Sequence, residues 1–286
     1  MPRYKSYSTS TRRRYSSRFK SKSYLPYGPR KSYKRRSEFR KKTQRPTFSK
    51  RQDYPQLQHD VMLASKSPVM GAVESADSTI AIPDNGIFFT IWSPTYRVAN
   101  TTGRQRDRQQ TNCLFVGVKE NILFAGEGNF LHRRIVFWSR STVEDAKPFS
   151  GPNEMLLRNI KLRDPNTDTT LDQFLGGSRG TDFLPSTVIL RKFDSNMVDV
   201  VYDKNDSYTQ MGTKLKTRKF WHRCEREISY QDKEKGVDTE SSGWAGLTSG
   251  SGGNLYVVDL FKTRSKKDVS SFVTFASEVY WRERNT

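Results

Sequence analysis

A chain that places 19 of its 50 Lys and Arg in its first 51 residues, with Glu38 the sole acid among them, has divided itself in two before any folding is considered. That segment carries net +18, and the 235 residues after it carry 31 basic and 29 acidic side chains, or +2. After Met1, Leu25 is the only aliphatic residue of the segment. So little apolar surface cannot offset the entropy of ordering a backbone, and residues 1–54 are expected to be a disordered arm when alone. Residues 55–286 are expected to hold the folded domain, long enough for a substantial core.

The arm is more than a charge run. Its cations are Arg3, Lys5, Arg12, Arg13, Arg14, Arg18, Lys20, Lys22, Arg30, Lys31, Lys34, Arg35, Arg36, Arg40, Lys41, Lys42 and Arg45, with Lys50 and Arg51 at its end. Nine aromatics are threaded among them, Tyr15, Phe19, Tyr33 and Phe39 included. Guanidinium and ammonium groups neutralise phosphates whatever the sequence, and aromatic rings offer faces on which unpaired bases stack. The pattern points to single-stranded nucleic acid bound without strong sequence preference. Arg12-Arg13-Arg14, Lys34-Arg35-Arg36 and Arg40-Lys41-Lys42 also read as nuclear import signals. A tail that only confers solubility would not need the aromatics.

Beyond the arm, Tyr54–Ser67 reads as a hinge. Short aromatic and β-branched runs bounded by turn residues then predict strands at Gly86–Trp92, Cys113–Phe124, Leu131–Ser139, Thr187–Phe193, Met197–Tyr202, Lys219–Tyr230, Leu255–Phe261 and Phe272–Trp281. In the Lys219–Tyr230 strand, Phe220, His222, Cys224, Ile228 and Tyr230 share one face, and Trp221, Arg223, Glu225 and Glu227 the other. Thr169–Leu175 predicts one short helix capped by Thr169 or Thr170. Residues 100–112, which lack apolar side chains, predict an exposed loop, and the five glycines within 241–253 a long flexible one. Eight or nine strands, long polar connections and little helix predict an all-β antiparallel sandwich, with an eight-stranded jelly roll suiting this length.

Catalytic and metal motifs are weak. His222-x-Cys224 on one strand face is the start of a zinc set that Cys113 or His132 would have to complete, but the spacings are unrelated and packing is the expected role of these residues. Cys113 and Cys224 are expected as reduced thiols rather than a disulfide. The glycine-rich loop lacks the Gly-Lys-Ser/Thr ending of a phosphate loop. No membrane span is expected from the apolar runs, no cofactor is implied, and no motif marks the chain as an enzyme.

Gly117-Val118-Lys119-Glu120-Asn121-Ile122 followed by Arg133-Arg134-Ile135-Val136-Phe137 closely resembles the motif region of the capsid proteins of genomoviruses, small circular single-stranded DNA viruses of the gemycircularvirus kind. Tyr202-Asp203-Lys204, Lys219-Phe220-Trp221-His222, Tyr256-Val257-Val258-Asp259 and Tyr280-Trp281 follow in that family's order, behind a similar Met1-Pro2-Arg3-Tyr4 start. Phe130-Leu131-His132 departs from the Trp-x-Trp of many relatives. The resemblance implies a single jelly-roll coat protein that assembles with copies of itself into a small icosahedral (T=1) shell. Its basic arm would lie on a single-stranded DNA genome, and the chain would be found in the virion and the host cell nucleus, with host nuclear import receptors as partners. About 60 such arms would balance on the order of a thousand phosphates. Arg133 and Arg134, on opposite sides of the pleat, are candidates either for touching DNA or for pairing with an acid such as Glu120. The rival readings are a monomeric nuclear or ribosome-associated nucleic-acid-binding protein, and an enzyme on a β sandwich.

Overall fold

Two packed sheets set the frame, each contributing inward apolar side chains to a shared core. In the computed structural model, residues 58–65, 79–99, 108–126, 129–150, 156–208, 215–235, 238–240, 242–247, 250–263 and 271–283 are described, and they belong to one compact unit. The strands are β1 (Gln58–Ser65), β2 (Thr79–Ile82), β3 (Ile87–Trp92), β4 (Asn112–Gly126), β5 (Phe130–Ser139), β6 (Phe149–Ser150), β7 (Leu156–Asn159), β8 (Asp199–Tyr208), β9 (Lys216–Ser229), β10 (Lys233–Lys235), β11 (Asp238–Glu240), β12 (Asn254–Thr263) and β13 (Ser271–Glu283). Sheet I has the order β6-β7-β1-β13-β4-β9, with β2 also paired to β13, and sheet II the order β3-β12-β5-β8. Pairing is antiparallel throughout these two sheets except between β1 and β7. The chain is all-β.

The two sheets bury differently, because one has a single covered face and the other has two. Along β13 buried positions alternate with half-buried or exposed ones, as a strand does when only one of its faces meets a core. Along β5 and β12 nearly every residue is buried, which requires cover on both faces. The inner face of sheet II meets sheet I through Trp92, Val136, Trp138, Leu255 and Val257 against Phe115, Val118, Ile228, Val279 and Trp281. A second inter-sheet cluster joins Phe130 and Phe261 to Ile122, Phe124, Val273 and Phe275. The outer face of sheet II, with Phe89, Ile91, Ile135, Phe137, Tyr256, Val258 and Leu260, is covered by the connection between β5 and β8 through Leu171, Phe174, Phe183, Val188, Ile189 and Phe193.

That covering role explains where the sequence reading errs. Thr187–Phe193 is no strand: Pro185–Leu190 forms a 3₁₀ helix, with Pro185 presetting φ at its start and Thr187 Oγ1 donating to the Leu184 carbonyl. Val188 and Ile189 are buried on sheet II by this turn. The helix expected over Thr169–Leu175 shrinks to a single 3₁₀ turn, Asp172–Phe174, with no side-chain cap from Thr169 or Thr170. The hinge expected at Tyr54–Ser67 contains β1, paired with β13 from Gln58↔Trp281 to Leu63↔Ala276. Its other residues, and the arm boundary at 54/55, lie outside the described residues.

Two loops are more ordered than their composition suggests. Arg108 belongs to the polar stretch 100–112 yet is 1% exposed. It donates to both oxygens of Asp232, at 2.9 and 2.8 Å, and to the Arg97 carbonyl, and stacks 4.2 Å from the Tyr230 ring. The glycine-rich stretch is pinned rather than flexible where it is described. Trp244 and Ala245 are buried, Ala245 N donates to Asn254 Oδ1, and Gly246 N and Gly252 N donate to the Ser229 and Glu227 carbonyls of β9. Glycine is required at position 252, where a Cβ would lie 2.3 Å from Arg226 Cγ and 2.8 Å from the Glu227 carbonyl oxygen.

Candidate functional site

The most unusual chemistry lies between the sheets. Glu120 from β4, Arg134 and His132 from β5, Arg158 from β7 and Asp259 from β12 are at most 1% exposed. Strand register brings them together, since Arg134 sits opposite Asp259 on the adjoining strand and Glu120 opposite Ser277 of β13. Arg158 spans two acids, donating to Glu120 Oε1 at 2.5 Å and to Asp259 Oδ2 at 2.9 Å. Arg134 pairs with Glu120 and lies 3.7 Å from Asp259 Oδ1. His132 Nε2 donates to Asp259 Oδ1 at 2.8 Å, since a carboxylate only accepts. Ser277 Oγ donates to Glu120 Oε1 at 2.6 Å.

Two arginines thus face two carboxylates, so the buried layer is neutral when His132 is neutral. Aromatic faces complete the cage: Phe275 lies 3.9 Å and Trp92 5.0 Å from the Arg158 guanidinium, and Phe220 4.6 Å from that of Arg134. Burial lowers both guanidinium groups to about 10, which leaves them charged at neutral pH. Burial by itself would raise the Asp259 carboxyl, but Arg134, His132 and Arg158 together hold it well below the usual carboxylate range. Closed off from solvent, these groups join the two sheets by charge where the apolar clusters leave off.

His222 borders this layer. It is 4% exposed, stacked on Phe220 and edge-on to Tyr202 at 4.9 Å. Burial pushes its imidazole down to about 3, Arg134 and Arg158 push the same way, and Asp259 opposes them. A base whose folded value is depressed stays neutral in the fold while the unfolded chain takes up a proton below 6.5. Stability tied to His222 is therefore complete above that pH and declines as pH falls toward 3, by up to about 1.4 kcal/mol per pH unit. His222→Leu is expected to narrow the gap between urea unfolding free energies at pH 7 and pH 4.5 by about 2 kcal/mol relative to wild type; an unchanged gap would show that His222 titrates normally. Cys113 and Cys224 are free thiols, and burial raises Cys224 to about 12. Among the described residues no group of three or more His, Cys, Asp or Glu is placed to hold a metal.

The candidate DNA contacts fall in two places. The arm cations from Arg3 to Arg45, the aromatics Tyr15, Phe19, Tyr33 and Phe39, and the three import clusters lie outside the described residues. Arg133 and Arg134 are described, and a DNA contact is corrected for both because each is buried. Arg134 is wholly buried on Glu120. Arg133 is 4% exposed and forms a bidentate fork on Asp203 of β8, at 2.8 and 2.6 Å, while Nη1 donates to the Ile189 and Arg191 carbonyls. It fastens the 3₁₀ segment to the edge of sheet II.

Sequence reading missed the outer face of sheet I as a unit. Register sets Trp221 of β9 opposite Lys119 of β4, which lies opposite Glu278 of β13; the next row is Arg223, Gly117 and Tyr280. Trp221 is 49% exposed, with its ring 5.5 Å from Tyr280 at 76°. Lys119 pairs with Glu278, and Arg223 with Glu225. The described elements put no layer over this face. A second exposed group lies along the β5–β8 connection and edge strand β8: Leu184, Leu190, Met197, Val200 and Val201.

No protein-family model and no curated protein matches the chain. Among solved structures, a mutant of the unassembled Washington University polyomavirus VP1 pentamer aligns with 79% of this chain and 76% of its own, at 11% identity and a TM-score of 0.09, a likeness too slight to carry any inference.

Proposed function

We propose that the chain is the coat subunit of a small shell enclosing circular single-stranded DNA, of the genomovirus kind that its motifs resemble. The observation that carries this reading is the nesting of strand pairs. In sequence order β2, β3, β4 and β5 pair antiparallel with β13, β12, β9 and β8, as in a long hairpin rolled onto itself. Joined by the pairs β13–β4 and β12–β5, the eight strands have the connectivity of a jelly roll, an architecture common in capsid domains. We assign β1 as an extension of the β2 position and β6, β7, β10 and β11 as additions.

Charge division supports the same reading. A domain near +2 packs against its own copies without strong repulsion, while an arm of +18 takes up phosphate charge. The exposed Leu184, Leu190, Met197, Val200 and Val201 suit contacts between copies, since an edge strand with apolar side chains invites pairing. In this reading the arm's basic clusters engage host import receptors, the virion and the host nucleus are its locations, and no catalytic step is involved.

Negative-stain electron microscopy of the purified full-length protein, with and without single-stranded DNA, tests it. Uniform closed particles are expected. Monomers that bind DNA at every salt concentration would instead indicate a monomeric nucleic-acid-binding protein.

A further inference from the structure

We infer that the outer face of sheet I is a stacking site for unpaired bases of single-stranded nucleic acid, centred on Trp221. This rests on the reading above and adds a second contact point on the folded domain.

The outer face of sheet II is filled by the connection between β5 and β8; that of sheet I has no such cover among the described residues. Three adjoining strands, β13, β4 and the edge strand β9, bring a ring pair and cations together. Along β9, Lys219, Trp221 and Arg223 point the same way, spaced about 6.7 Å apart as alternate residues of a strand. Lys119 stands beside Trp221 on β4. A base stacked on the indole would thus have a cation on either side for its flanking phosphates, which is the alternation of rings and cations that single-strand grooves use.

The indole is held in place beforehand. Trp221 Cη2 lies 3.0 Å from where a Cβ of residue 117 would be, and the His222 carbonyl oxygen 2.5 Å from it, so only glycine fits at Gly117. The ring extends across that glycine to Tyr280. A ring so fixed loses little freedom when a base stacks on it, and its exposure at 49% has no benefit to the isolated fold. Lys119 and Arg223 are each engaged by a carboxylate, Glu278 and Glu225. The face therefore supplies stacking more than charge, and the +18 arm supplies the attraction that brings the strand near.

The test compares full-length wild type, Trp221→Ala and Trp221→Phe in fluorescence anisotropy with labelled oligo-dT and with an abasic oligonucleotide of equal length. Trp221→Ala is expected to weaken oligo-dT binding about 5- to 100-fold, leave abasic binding and the salt slope unchanged, and be largely rescued by Trp221→Phe. Equal loss on both oligonucleotides, or no loss on either, overturns the stacking site. Loss of DNA-free particles by Trp221→Ala with DNA binding intact overturns it in favour of a second copy of the chain as the occupant. If wild type binds both oligonucleotides and Trp221→Ala matches it, only the stacking site falls; if full-length wild type binds neither, the proposed function falls with it.

Discussion

Glu120→Ala is expected to destabilise the folded subunit by about 3 to 5 kcal/mol, a large part of the roughly 5 to 15 kcal/mol that holds a domain together. Removing Glu120 takes the nearer of two carboxylates from Arg134 and one of two from Arg158, both wholly buried. It also takes away the acceptor of Ser277 Oγ. Two positive charges would then share Asp259, in a place where water cannot reach them. The cost is that of uncompensated charge, not the worth of the original pair. Replacing Glu120, Arg134, Arg158 and Asp259 together by apolar side chains of similar volume is accordingly expected to cost far less than Glu120→Ala alone. Urea unfolding of dissociated subunits followed by tryptophan fluorescence measures both. A loss under 1 kcal/mol for Glu120→Ala would mean that the buried charges are hydrated or rearranged. Depression of the Asp259 carboxyl adds a pH signature: its stability is present above the usual carboxylate range and is lost as pH falls below it.

Deletion of residues 1–51 is expected to abolish packaging of single-stranded DNA while leaving the β domain folded. It removes 19 cations and one acid and returns the chain from +20 to +2. Each phosphate neutralised on a single strand contributes about −0.7 to the slope of log affinity against log salt, so removing even six contacts would flatten that slope by about 4. The full-length protein should bind tightly at low salt and lose affinity steeply as salt rises. The deleted protein should show a shallow slope and weak binding, with far-UV circular dichroism and unfolding free energy unchanged. Normal packaging by the deleted protein would overturn the role given to the arm. The residual weak binding is where a base preference due to Trp221 should be easiest to see.

Several features were legible in the residues because they are local. Charge segregation is a count along the chain. The alternation that assigned Trp221 and Arg223 to one face of β9 and His222 and Ile228 to the other follows from the two-residue period of a strand, and the inward burial of His222 and Ile228 agrees with it. The main strands followed from the same period and their bounding turns. Glu120 was legible as a partner for an arginine, but Arg158 carried no signal at all, because its partners Glu120 and Asp259 are 38 and 101 residues away in sequence.

Sequence by itself determined that the chain would be all-β, that its net positive charge would lie at one end, and which side chains of β9 and β13 would point the same way; in β4 a bulge at Val116 sends Phe115, not Leu114 or Val116, to the core with Val118. Only the tertiary structure decided which of two faces meets a core. Thr187–Phe193 has the apolar content of a strand, yet Pro185–Leu190 became a 3₁₀ cover because sheet II had an outer face to fill. Arg108 and the glycine-rich stretch are polar or small enough for solvent, yet both were drawn onto β9 and its continuation by backbone and carboxylate partners distant in sequence. Arg134 was given to a buried acid rather than to a ligand for the same reason: its side of the pleat faced the opposite sheet. Periodicity specifies that a strand has two faces. Which face is dry depends on what the rest of the chain lays against it.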